Sequence, residues 1–262
     1  MQKVFDSLAE IEVGKRKSNL AFTLTVMIIV AVMTAIIILF STVFYFVQVE
    51  GQSMENTLRE GDGLIVNRYA SVERGDIVII EKTTTKTQRV FPVNGKVAIS
   101  SFDYPFVEVV SASDSMGRKY TTSLSNGYLQ LDPSVTTVVY KCKFSIIKRV
   151  IALEGDSVKL KDGNVYIKTS GQTEYVLLEE DYIKEPNSTF ASASGFDGYE
   201  KPLAKGEVFY LGDNREKSED STEEGCCNIQ DVVGVIVPFS IKTKGITKAM
   251  FKVFSPSQSL AK

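Results

Sequence analysis

The chain has 262 residues, a formal net charge of −2 and no histidine. Thirty basic side chains nearly balance 32 acidic ones, which disfavours a nucleic-acid partner held by bulk charge. Without histidine there is no Ser-His-Asp triad, no Cys-His pair and no ordinary catalytic zinc site. Proton transfer near neutral pH then falls to a carboxylate or to a lysine whose pKa is displaced.

From Ser18 to Val49 no residue is charged, and Ile, Val, Phe, Met and Leu dominate. A helix needs roughly 20 apolar residues to cross a hydrocarbon core. Residues 18–49 are therefore read as one transmembrane anchor, with Phe44, Tyr45 and Phe46 at its outer interface. The run is too long for the apolar core of a cleaved signal peptide, and no A-x-A site follows it. Lys3, Lys15, Arg16 and Lys17 precede the run, whereas only Arg59 is basic between Glu50 and Leu64. The positive-inside rule then puts residues 1–17 in the cytoplasm and the rest outside, on a single-pass membrane protein.

Past Glu50, short apolar runs alternate with Gly, Asp, Asn and Ser. Strands are expected at Gly63–Asn67, Asp76–Ile80, Ser145–Ala152, Ser157–Leu160, Val165–Ile167, Val208–Leu211 and Val232–Val237. Asp162-Gly163 between two such runs is a hairpin signal. The fold expected is mainly β: an antiparallel, barrel-like catalytic region at 50–81 and 141–245. Residues 82–140 form an inserted β-rich segment, 186–206 a loop, and 246–262 a C-terminal tail. Cys142, Cys226 and Cys227 are odd in number and lack metal-binding spacing. They read as free thiols, with one bridge from Cys142 to the adjacent pair as the alternative.

Three segments carry candidate chemistry. Gly51-Gln52-Ser53-Met54-Glu55-Asn56-Thr57-Leu58 follows the anchor directly, and its glycine permits the tight backbone a nucleophile loop needs. Lys148 lies within an apolar run and shares a strand face with Ile146 and Val150, while Arg149 faces the other way. Such an amine either snorkels to solvent or loses hydration, with a lowered pKa that lets it deprotonate a serine. Gly212-Asp213-Asn214-Arg215-Glu216-Lys217-Ser218-Glu219-Asp220-Ser221 is either a polar surface loop or a brace for an active site.

In this order behind an anchor, the three segments resemble the boxes of bacterial type I signal peptidases: S-M-x-P-T-L, K-R-[V/A]-x-G-L-x-G-D and G-D-N-R-x-x-S-x-D-S. The resemblance implies a serine–lysine dyad, with Ser53 as nucleophile and Lys148 as general base. It implies that Ser218 hydrogen-bonds the lysine and that Asp213, Arg215 and Asp220 hold the site together. The Ser53 N–H matches the main oxyanion donor. Val49, Leu58, Ile146 and Ile147 align with apolar residues lining shallow substrate pockets. The implied activity is removal of signal peptides from secretory preproteins after small residues of A-x-A type, beside the lipid bilayer and without metal or cofactor. Gly51 stands where some relatives add a serine donor. Asn56, Ala152, Glu154 and Thr222 replace the family's proline, glycine, proline and arginine. These departures and the insertion leave two alternatives: a dedicated processing peptidase for a narrow surface or pilus-related substrate, and a non-catalytic membrane-tethered assembly factor on the same fold.

Overall fold

The computed structural model describes residues 2–55, 57–183, 198–243 and 247. Asn56, most of the expected loop at 186–206 and nearly all of the tail at 246–262 lie outside the described residues. The chain forms two compact units, Met1–Tyr45 and Phe46–Lys262.

The first unit is helix α1 (Gln2–Val43). Its stretch Ala21–Val43, 23 residues, is long and apolar enough to cross a membrane. At 1.5 Å per residue it spans about 35 Å, against a hydrocarbon core of about 30 Å. Its apolar side chains are uncovered, with Phe22 at 72% and Ile37 at 60% exposure. A stretch apolar on all sides is poorly soluble in water and suited to lipid. The uncharged run does not remain helical to Val49, however. Phe44–Gln48 is strand β1, so the expected interfacial aromatics begin the sheet. Their β-favouring side chains, half-buried there, are better used against a pleated surface.

The second unit is built on strands β2 (Gly63–Asn67), β3 (Ile77–Arg89), β4 (Lys96–Ala98), β5 (Phe106–Ser113), β6 (Lys119–Tyr120), β7 (Ser123–Ser125) and β8 (Tyr128–Gln130). There follow β9 (Thr137–Ala152), β10 (Ser157–Lys161), β11 (Asn164–Lys168), β12 (Val176–Leu177), β13 (Gly198–Tyr199), β14 (Glu207–Leu211), β15 (Cys227–Asn228) and β16 (Val232–Ile236). Two short helices, α2 (Ser221–Glu224) and α3 (Pro238–Lys242), complete it. The main sheet runs β1-β2-β16-β3-β9-β14-β15, with β5 and β6 branching from β9. Its described pairings are antiparallel. The path has two ends, so the mainly antiparallel β expectation holds while the sheet does not close into a barrel.

β3 and β9 pair from Ile77↔Arg149 to Arg89↔Thr137. Both therefore run through the expected insertion boundaries at 82 and 140 without a break. A separate hydrophobic cluster gathers Phe102, Leu129, Val135, Val138 and Tyr140 with Cys142. β10 and β11 form the expected hairpin, with Lys161↔Asn164 closing it and both Asp162 and Gly163 at positive φ. That backbone matches the twist of a tight hairpin. All three cysteines are free.

Candidate active site

Alternation along β9 sets the site. Ile146, Lys148 and Val150 share one face, and Ile146 and Val150 pack with Val78, Ile80 and Tyr210. Lys148 sits opposite Val78 and is 3% exposed. The lysine does not snorkel. Burial pushes its pKa down, while the charges of Asp220, Glu224 and Glu219 push it up. None of the ion pairs among the described residues includes it.

Ser53 lies on a turn tied by Glu55 N–H to Gln52 O (3.0 Å) and Leu58 N–H to Met54 O (2.8 Å). Gly51 enters that turn at φ +81°, a backbone that favours glycine. The Ser53 carbonyl accepts a hydrogen bond from Asn214 N–H at 3.0 Å, which fastens the serine turn to the Gly-Asp-Asn loop. Ser53, Lys148 and Ser218 line one pocket with Phe144 and Ile146. Ser53 and Lys148 also line a neighbouring groove, about 160 Å³ in free volume, with Val47, Val49, Tyr104 and Ile147.

The expected Lys148–Ser218 hydrogen bond is not formed. Ser218 Oγ is buried with no partner, held against Gly212. An unpaired buried hydroxyl costs about 1–3 kcal/mol, so this group is poised to accept or donate when a partner arrives. Gly212 is needed for space rather than for φ. A Cβ there would lie 2.2 Å from Ser218 Oγ and 2.5 Å from Ser53 O. Gly212→Ala is expected to displace both serines and to lower kcat/KM by about 10²-fold, with the thermal transition showing whether the fold persists. Activity within a factor of two of wild type would mean that the loop yields without moving Ser53.

Asp213, 0% exposed, joins the three segments. Its carboxylate accepts from Arg149 Nε (2.8 Å) and Nη2 (2.6 Å) and from the Thr57 hydroxyl. Arg149 also donates to Gly75 O at 2.8 Å, and the Tyr182 ring covers its guanidinium at 3.8 Å. Arg215 and Asp220 brace the loop from within. Arg215 donates to Gly212 O (2.9 Å) and to the Glu180 carboxylate. Asp220 accepts from Gly212 N–H (3.1 Å) and caps α2 by accepting from Thr222 N–H and hydroxyl. Thr222, where relatives carry arginine, thus still grips the aspartate.

Of the expected pocket residues, Val49, Ile146 and Ile147 line the groove. Leu58 is 0% exposed and belongs instead to the packed interior beneath the serine turn. Sequence reasoning missed Glu180, Tyr182, Lys82 and Tyr104, none of which lies in a recognisable motif. Arg149 and Thr57 were adjacent to the motif residues named, and only their partners were hidden.

Fold and site together define a class: an antiparallel β scaffold with a serine and a buried amine on one groove. The chain belongs to the signal peptidase family, peptidase S26, whose family model matches residues 21–240. It is 36% identical over 95 residues to the chloroplastic thylakoidal processing peptidase 1 of Arabidopsis thaliana, covering 36% of this chain and 24% of that protein. It is 28% identical over 214 residues to signal peptidase I of Bacillus licheniformis, covering 80% of this chain and 82% of that one. The chain spans about a quarter of the length of the Arabidopsis relatives it matches. A solved signal peptidase I from Enterococcus faecalis V583 overlays with a TM-score of 0.29 at 26% identity, covering 37% of this chain and 86% of that one.

Proposed function

We propose that the protein is a membrane-bound serine endopeptidase that removes signal peptides from secreted preproteins after small residues, with Ser53 as nucleophile and Lys148 as general base. The observation that carries this reading is the buried Lys148 on the same pocket as Ser53, with burial drawing its pKa down. The neutral amine takes the Ser53 hydroxyl proton while Oγ bonds to the scissile carbonyl carbon. The Ser53 N–H has no acceptor among the described residues and is free to hold the oxyanion. The protonated amine then returns its proton to the leaving nitrogen as the C–N bond breaks. Neutral again, it removes a proton from water as the water oxygen bonds to the acyl carbon, then gives that proton to Ser53 Oγ as the ester C–O bond breaks, which frees the product acid and restores the serine.

Substrate placement follows from a gap in the sheet. Phe144 to Lys148 pairs with β3 on one edge, whereas β5 pairs only up to Cys142 and β14 only from Arg149. An extended peptide adds there as a strand, its small side chains entering the groove. Residues 1–17 are cytoplasmic and the catalytic part lies outside, because basic residues crowd the N-terminal flank of the apolar helix. The catalytic domain comprises 50–81 and 141–245, with 82–140 inserted. A shared bilayer raises the effective concentration of signal peptides.

The test is cleavage of a precursor ending in A-x-A by the detergent-solubilised full chain. Ser53→Ala is expected to lower the rate by about 10³-fold or more with the thermal transition unchanged. Cleavage by Ser53→Ala at the wild-type rate would sink the assignment. A narrower reading, a processing peptidase for one surface or pilus-related substrate, is favoured by Tyr104 and Pro105, which bring the inserted segment to the groove. A panel of precursors separates the two, since a general enzyme cleaves most of them.

A further inference from the structure

Lys82 is on β3, four residues from Val78, the residue opposite Lys148. Even spacing puts Val78, Ile80 and Lys82 on one face of the sheet, the face that carries Lys148. The Lys82 ammonium is 2.8 Å from the Glu224 carboxylate and donates to the Tyr210 hydroxyl. Tyr210 in turn donates to the same Glu224 oxygen at 3.1 Å. The Ser221 hydroxyl, accepting from Tyr210 N–H at 3.0 Å, ties α2 to β14 and so fixes where Glu224 stands. Glu224 lines the pocket that holds Lys148 and Ser53.

The charges facing Lys148 are unbalanced. From the loop and α2 come Glu216, Glu219, Asp220, Glu223 and Glu224, against Lys217, whose ammonium is bonded to Gln52. From β3 comes Lys82, and from β14 the neutral phenol of Tyr210. Each carboxylate favours the protonated amine, and a protonated amine is no base. Burial opposes the charge on Glu224, yet the bond and charge of Lys82 hold its carboxyl below the usual range. Glu224 is thus ionised, and its pull on Lys148 is opposed first by burial and, among the charges, by Lys82.

We infer that Lys82 and Glu224, clamped by Tyr210, are positioning residues that set the protonation state of the Lys148 amine. Lys82 supplies a counter-charge that adds to burial in disfavouring the protonated amine within reach of acidic side chains. This rests on Lys148 being the base.

The test reads Ser53 acylation by a fluorophosphonate probe on the full chain in detergent, from about pH 6 to about pH 10, by mass spectrometry. Lys82→Met is expected to move the acid limb upward, slowing acylation about threefold to tenfold at a fixed pH on the limb and leaving the high-pH plateau intact. Glu224→Gln moves the limb downward, the double variant returns it toward wild type, and Lys82→Arg restores it. A plateau that drops while the limb stays in place is a packing effect and overturns the inference, as does a limb unmoved in both single variants. Wild type unlabelled at every pH overturns the dyad reading itself, and the inference with it. Labelling that is lost in Lys148→Ala but insensitive to Lys82→Met overturns the inference alone.

Discussion

Replacing Lys148 by methionine is expected to remove cleavage and to raise thermal stability at the same time. The two effects separate a catalytic amine from a structural one. Methionine fills a similar volume between Ile146 and Val150 without a charge to desolvate. Exchanging a buried charge for an apolar side chain of like size is neutral or stabilising by ~1–2 kcal/mol, or a Tm about 2–8 °C higher for a domain of this size. Loss of the base lowers kcat/KM by about 10³-fold or more. The pH dependence has a definite sign. Burial puts the folded-state pKa of Lys148 below its ordinary value of 10.5. Below the folded value both states carry the proton, and the full penalty of the buried charge weighs on wild type. Between the folded value and 10.5 the unfolded chain holds a proton that the folded one lacks, so wild-type stability climbs with pH. The stability advantage of Lys148→Met is therefore largest in acid and fades toward pH 10.5. Wild-type kcat/KM falls in the matching direction, as pH drops through the folded value. Denaturation scans and rate profiles at matched pH check both. A variant that loses activity and stability together would mark Lys148 as a packing residue.

Asp213→Ala should be the most destabilising single change in the loop. It strips the carboxylate from Arg149, whose side chain is 11% exposed, and removes the acceptor of the Thr57 hydroxyl's bond to Asp213. Breaking a buried pair from one side costs about 3–5 kcal/mol, a Tm drop of roughly 6–20 °C. The charge left behind accounts for much of that cost, so Arg149→Ala in the same chain recovers part of it. Asp213→Asn keeps an oxygen for Thr57 and is milder. Denaturant titration of the four chains gives the coupling directly. A cost for Asp213→Ala below about 1 kcal/mol would rank this pair with ordinary surface ion pairs.

Much of this protein is local, and the local part was legible. Missing histidine narrowed the proton chemistry, and alternation on β9 put Lys148 on an apolar face before any fold was known. Asp162-Gly163 marked its hairpin because a positive-φ turn needs such residues. The end of α1 was not legible, since Phe44–Gln48 is as free of charge as the helix before it and only pairing in the sheet makes it a strand. The reach of β3 and β9 through the inserted segment was hidden for a related reason: their thirteen paired positions include polar Thr, Lys and Gln residues, which ladder hydrogen bonds accept regardless of side chain.

The sequence by itself determined which residue types are available for catalysis and the strand faces on which they stand. Only the tertiary structure decided what surrounds them. It buried Lys148 instead of letting it snorkel, moved Leu58 from the groove to the interior, and left Ser218 Oγ without a partner. It also bound Asp213 to Arg149 and Thr57, and brought Glu224 and Lys82 to the amine. These are contacts between segments far apart in the chain, and desolvation and Coulomb forces depend on distance in space rather than on order along the backbone.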